Sequence, residues 1–290
     1  PLAFTKTRLG NHSWSDNFVG NAYVEVEPIE NLRIRSTFGG KLAYWGGESF
    51  NPVAFLTSSF VTSQNSLSRN TNKGFGWNIE NTASYNKALG GHDFTVLLGQ
   101  GVYVDNITEG QSITYNNIPV NNYKDASFNF DIPTEQINAS AYTGVIHKVT
   151  SLFARLNYAY QEKYLFTGIV RRDVSSRFGS NNKFGIFPSF SAGWVANKEN
   201  FWPENNIVNQ LKIRGSYGVT GSDQIGDFKY LSTIGDGRNY PVGNAGSVVI
   251  GNSPDAPANP DLKWEETSQT NIGLDATLFN GLSVTFDWYY

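Results

Sequence analysis

The densest run of ionic and hydroxyl side chains is Arg171–Gly179, RRDVSSRFG. Three guanidiniums, one carboxylate and two hydroxyls within nine residues could grip a phosphate, clamp a carboxylate or serve a catalytic loop. A phosphate cradle needs converging backbone N–H groups, from a glycine-rich nest or a helix start, and neither follows this stretch. The local alternative is a hairpin connection. Asp173 would accept from Arg171, Arg172 or Arg177, and Ser175 and Ser176 would satisfy turn backbone. Exposed ion pairs of this kind are worth ~0–1 kcal/mol each.

A second set is aromatic: Trp45, Trp202, Tyr230, Tyr240 and Trp264 fall in segments read as connections. Aromatic faces beside amides suit carbohydrate or peptide, and the competing role is packing on one another or on a girdle. With Arg171, Arg172 and Arg177 at the rim, these are the candidate ligand-binding residues. No catalytic or metal residue is nominated. His12, His92 and His147 are scattered, without a second ligand at metal spacing. "GQGVYV" (99–104) lies in a strand pattern and opens no helix, and "GSYG" (215–218) is no nucleophile elbow. Glu265 and Glu266 are adjacent, so in extended chain they point to opposite sides. There is no Cys, which removes thiolate chemistry and disulfides. No cofactor is implied and an enzyme is not expected.

The elements that must position these residues are strands. Gly numbers 29 and aromatics make up 14% of the 290 residues, a composition of strands and turns. Alternation of period two recurs. Val284, Phe286, Trp288 and Tyr290 oppose Ser283, Thr285, Asp287 and Tyr289. Ile272, Leu274, Ala276 and Leu278 oppose Asn271, Gly273, Asp275 and Thr277. About ten strands are predicted, near 20–28, 31–44, 75–87, 92–105, 145–160, 163–172, 184–196, 210–219, 268–279 and 282–290.

Short and long connections mostly alternate, with 197–209 as the weakest fit. That asymmetry is the habit of a membrane barrel, with short turns on one side and long loops on the other. One strand face is Val, Leu, Ile, Phe, Trp and Tyr, as for lipid, and the other Asn, Asp, Arg, Thr, Ser and Gly, as for a wet lumen. A soluble β-sandwich remains open at this stage and is separated by which face is apolar outward. No window approaches the ~18 apolar residues of a transmembrane helix, which leaves strands unaffected. The net charge of −3 offers no field for nucleic acid. The opening "PLAFTKTRLG" and the ending "SVTFDWYY", in mid-alternation, lead us to expect an internal piece of a longer chain.

Several long blocks resemble one family. Residues 151–201 (SLFARLNYAYQEKYLFTGIVRRDVSSRFG and onward), 211–230 (LKIRGSYGVTGSDQIGDFKY), 259–290 (NPDLKWEETSQTNIGLDATLFNGLSVTFDWYY) and 77–100 look like the barrel of SusC/RagA-type TonB-dependent outer-membrane transporters of Bacteroidota. The resemblance spans roughly 75–290 in order, and 17–44 more loosely. It implies an all-β fold, an antiparallel up-and-down transmembrane β-barrel present in part, with long outer loops and short periplasmic turns. Residues 1–290 would be part of the barrel domain, with signal peptide, TonB box and plug absent from this piece. About ten strands cannot close a wall of about 22, so an open antiparallel meander with non-adjacent ends is expected. The family implies TonB-energised uptake of oligosaccharides or peptides through the outer membrane, with a SusD-like surface lipoprotein as lid and contact with the TonB complex and outer-membrane lipid. The alternative is a secreted or surface-anchored β-rich binding protein with no transport role. The family's usual Gly after RRD is Val174 here, so a different local turn is expected.

Overall fold

A computed structural model describes residues 10–57, 60–203, 207–242 and 247–290. Its strands are β1 (His12–Ile29), β2 (Leu32–Asn51), β3 (Ala54–Thr57), β4 (Phe60–Thr62), β5 (Ser66–Leu89), β6 (His92–Asn116), β7 (Ile137–Thr143), β8 (His147–Tyr160) and β9 (Tyr164–Ser175). They continue with β10 (Phe184–Val195), β11 (Val208–Ser222), β12 (Ile234–Gly235), β13 (Tyr240–Val242), β14 (Ser247–Val249), β15 (Ser253–Pro254), β16 (Glu265–Leu278) and β17 (Leu282–Tyr289). The long strands form one sheet in the order β1-β2-β5-β6-β8-β9-β10-β11-β16-β17, with β7 also paired to β6. It is an up-and-down meander whose first and last strands are not neighbours, as expected.

All ten predicted strands exist, and several are longer. β5 starts at Ser66 and β6 runs to Asn116, so much of the expected loops 45–74 and 106–144 is strand, and β7 is an additional element. These extensions read Asn, Thr, Ser and Gly, with no apolar alternation to betray them. The tight turns need left-handed backbone: Gln161 and Glu162 (φ 51° and 54°), Phe279 and Asn280 (51° and 59°), Gly90 and Gly91 (57° and 84°). Positive φ at both central residues matches the right-handed twist of the flanking strands. The 196–207 connection, opened by a single 3₁₀ turn at Ala196–Lys198, falls on the same side of the alternation as these turns.

The described chain divides into two units, 10–21, 39–78 and 104–147 in the first, and 22–38, 79–103 and 148–290 in the second. In the second, the register sets Tyr160, Tyr164, Trp194, Ile213, Leu274 and Phe286 in one cross-strand row. Tyr158, Phe166, Ala192, Gly215, Ile272 and Trp288 form the next row of the same face. Phe166, Phe190, Ile272, Phe286 and Trp288 are between 43% and 63% exposed. Along β10 this face holds Phe184, Ile186, Pro188, Phe190, Ala192 and Trp194. At ~3.3 Å per residue and a tilt near 40° that is an apolar band about 25 Å tall.

The opposite face is polar. Asn157, Thr167, Ser191, Ser216 and Asn271 make one row. Arg214 crosses Gly273 to fork onto Asp287 (Nη1–Oδ1 2.7 Å, Nη2–Oδ2 2.9 Å) and to reach Asp275 (Nε–Oδ2 3.1 Å). A Cβ at position 273 would overlap the Arg214 guanidinium, so glycine there lets the side chain cross the strand undisplaced.

The buried clusters form where connections pack onto the strands. In the first unit Phe50, Leu67 and Ile118 are buried under Tyr123, Phe128 and Phe130. In the second, Phe178, Phe187 and Trp264 are buried with Val219, Ile225 and Leu262 beside them.

Candidate functional site

Arg171–Ser175 is strand, and only Ser176–Gly179 turns. Arg171 and Asp173 are two apart, so they share the polar face. The Arg171 Nε donates to both Asp173 carboxylate oxygens (2.9 and 2.8 Å), and its Nη2 donates to Ser151 Oγ (2.8 Å). Arg172 falls on the other face, with its guanidinium 4.9 Å from the Phe184 ring. Asp173 therefore takes Arg171 alone of the three expected donors, and it is buried rather than exposed. Val174 pairs with Thr150 and Phe184 in regular strand register and has no positive φ, so the expected special turn does not exist. A β-branched residue suits that position.

The turn itself is a clasp. Buried Ser175 donates its hydroxyl to Asp223 Oδ2 (2.6 Å) and accepts the Arg177 N–H (3.2 Å). Ser176 Oγ accepts the Lys148 N–H (3.0 Å). Arg177 donates from Nη1 to the Asp223 carbonyl (3.0 Å), and its Nε lies 3.6 Å from Asp227 Oδ1. The Phe178 ring lies tilted against Trp264 at 5.1 Å, and Trp264 meets Phe187 edge-on at 5.3 Å. Asn181 and Asn182 donate to Asp261. The 176–183 connection thus holds both ends of the 223–264 loop. This is a fastening, with Arg177 committed to a carboxylate and a carbonyl.

The aromatics separate by place. Trp264 is 7% exposed inside the clasp core, which gives it a packing role. Tyr230 lies over Gly179, close enough that a Cβ there would stand 3.2 Å from its ring. Tyr240, exposed, pairs with Val249 in the small β13–β14 hairpin of the long loop. Trp45 is not in a loop but in β2, on the same face as Gly74. Trp202 lies in the β10–β11 connection, among the short turns rather than the long loops, and donates to the Val208 carbonyl (3.4 Å). The eight candidates do not converge on one pocket. Among the described residues there is also no group of His, Asp and Glu that could hold a metal.

Other sites were invisible in the sequence. Asn65 is buried and mimics a strand. Its Nδ2 donates to the Ile118 and Val120 carbonyls (2.9 and 2.5 Å), and its Oδ1 accepts the Ile118 N–H (2.7 Å). Burial alone would push the Glu48 carboxyl up, but the Tyr123 hydroxyl (2.8 Å) and the Arg69 guanidinium hold it below the usual carboxylate range. The partners are 21–75 residues apart, and no local signal links them. On the polar face of the second unit, Thr167, Ser189, Ser191, Ser216, Thr220 and Gln269 line a shallow groove of about 430 Å³. It offers hydroxyls and amides flush with the backbone.

A meander with one exposed apolar face, one polar face, short turns at one end and long clasped loops at the other is the wall of a β-barrel. The chain belongs to the TonB dependent receptor-like β-barrel family, whose pattern it matches over residues 4–290. It is 32% identical over 287 residues to TonB-dependent receptor P26 of Formosa agariphila, covering 97% of this chain and 28% of that protein. It is 31% identical over 284 residues to TonB-dependent receptor SusC of Bacteroides thetaiotaomicron, covering 92% of this chain and 26% of that protein. The solved structure of the RagAB peptide transporter superposes with a TM-score of 0.81 at 26% identity, over 99% of this chain and 30% of that one. The chain therefore spans under a third of the length of these relatives.

Proposed function

We propose that this chain is part of the wall of an outer-membrane importer that takes up oligosaccharides or peptides, energised through TonB and lidded by a SusD-like lipoprotein. One observation carries the reading: the apolar face of the sheet is uncovered, its side chains largely exposed and no second layer packed on it among the described residues. A soluble binding sandwich would bury that face and show the polar one. A barrel in lipid does the reverse and keeps its polar side for a wet lumen. The likeness to the RagAB peptide transporter supports peptides as one substrate class, and the likeness to TonB-dependent receptor SusC supports TonB dependence. Plug and TonB box belong, in this reading, to the rest of the receptor.

Trp45, Arg171, Tyr230 and Tyr240 are proposed to meet substrate at the polar face and outer loops. Arg172, on the apolar face, Trp202, among the short turns, and Arg177 and Trp264, held within the clasp, are proposed to contribute only indirectly. The test is deletion of the gene, with uptake measured for labelled oligosaccharides and peptides, with and without TonB. Loss of uptake of one class, restored by the wild-type gene and absent without TonB, is expected. Unchanged uptake of both, with the protein outside the outer-membrane fraction, would overturn the proposal.

A further inference from the structure

Within the first unit the sheet face that carries apolar side chains changes character abruptly. Along β5, alternate residues read Trp77, Phe75, then Lys73, Thr71. On β2 the same face reads Leu42, Tyr44, then Glu48 beyond Gly46. β6 joins in through a bulge. Asp105 lies beside Gly76 and Thr108 beside Gly74, so two residues three apart share one face, across Asn106 with φ 61°. The bulge turns Glu109 and Gln111 to the face of Lys73 and Thr71. Lys73 Nζ donates to Glu109 Oε1 (2.9 Å) and Gln111 Nε2 to Thr71 Oγ1 (3.3 Å). Thr143 of β7 sits opposite Glu109.

These residues line a cleft of about 680 Å³, immediately past the apolar residues of that face. Its chemistry is that of a neutral polyhydroxyl ligand. Lys73 is neutralised by Glu109, so no cation is left over for a phosphate. The ion pair, the Gln111 amide and the Thr71 and Thr143 hydroxyls offer paired donors and acceptors. Tyr44, 40% exposed, offers a ring face for sugar C–H groups. The cleft is on the apolar side of the wall, not on the polar side proposed for transport. At that height a membrane presents headgroups.

We propose that this cleft binds a neutral sugar of an outer-leaflet glycolipid. The inference rests on the outer-membrane reading above. The test uses the intact receptor in phosphatidylethanolamine nanodiscs doped with lipooligosaccharide, with retained glycolipid counted by native mass spectrometry. Tyr44→Ala/Gln111→Ala is expected to retain roughly tenfold less, a factor that corresponds to about 1.4 kcal/mol, with TonB-dependent uptake unchanged. Heat-modifiable mobility reports folding. Should the double variant not fold, Glu109→Gln, at an exposed position, reads the same loss. Equal retention by the variant overturns the proposal, as does equal retention by the wild type of lipid A, which lacks the neutral core sugars of lipooligosaccharide. Binding of a soluble nutrient oligosaccharide in the cleft, with lipooligosaccharide excluded, also overturns it. Membrane fractionation separates the two readings: a receptor outside the outer membrane fails the function, and one inside it with unchanged retention fails only this site.

Discussion

Arg171 and Asp173 form one ion pair, yet removing either partner should have unequal cost. The Asp173 side chain is 11% exposed and that of Arg171 is 48% exposed. Arg171→Met keeps the aliphatic stem and strips the charge, leaving a carboxylate with little water to replace two donated contacts. Breaking a buried pair from one side costs ~3–5 kcal/mol, and the residual exposure of Asp173 lowers this to about 2–4 kcal/mol. Asp173→Asn leaves a half-exposed guanidinium that keeps Ser151 and turns to water, at about 0.5–1.5 kcal/mol. The sharper test is the double variant. With the carboxylate gone, Arg171→Met/Asp173→Asn should be more stable than Arg171→Met alone. Urea unfolding of the intact receptor in detergent, followed by heat-modifiable mobility, gives the order. Amide exchange at 173–176 should rise most in Arg171→Met. If Arg171→Met is as mild as Asp173→Asn, or the double variant recovers nothing, burial of Asp173 does not govern this pair.

Asn65→Ala removes three side-chain hydrogen bonds and strands the buried Ile118 N–H. Local stability should fall by about 2–4 kcal/mol, and hydrogen exchange at 117–120 should rise at least tenfold, with Asn65→Asp intermediate. Because the folded Glu48 carboxyl lies below its ordinary 4.5, its contribution is present above that pH and is lost as pH falls through the lower folded value. Exchange at Tyr123 should therefore rise on acidification below 4.5, and Glu48→Gln should flatten that profile. Gln161 sits at φ 51°, a region where β-branched side chains are strained. Gln161→Val should lower the unfolding midpoint by the equivalent of about 1–2 kcal/mol, and Gln161→Asn should leave it equal or higher.

Much of the fold was legible because its signals are local. Alternation such as Val284-Phe286-Trp288 against Ser283-Thr285-Asp287 needs only two-residue periodicity, and the side chains obey it in register. The hairpin turns are equally local, being a choice of φ within two residues. The strand extensions were not legible, because β5 before Phe75 and β6 after Asp105 leave the apolar band and need no alternation. The RRDVSSRFG stretch was read as an exposed loop because adjacent residues suggested one another as partners. Strand geometry sends Arg172 to the far face, and Asp223, 48 residues on from Ser175, comes to the clasp only through sheet order.

By itself the sequence determined the strands, their apolar and polar sides, the alternating connections and the family, since each depends on neighbours within a few residues or on long blocks that resemble one family in order. The tertiary structure decided which charges are paired, which aromatics are buried and where a cleft opens. Those depend on contacts that sheet order and register bring together, such as Tyr123 with Glu48 and Gln111 with Thr71, and on a bulge at Asn106 that changes which side chains share a face.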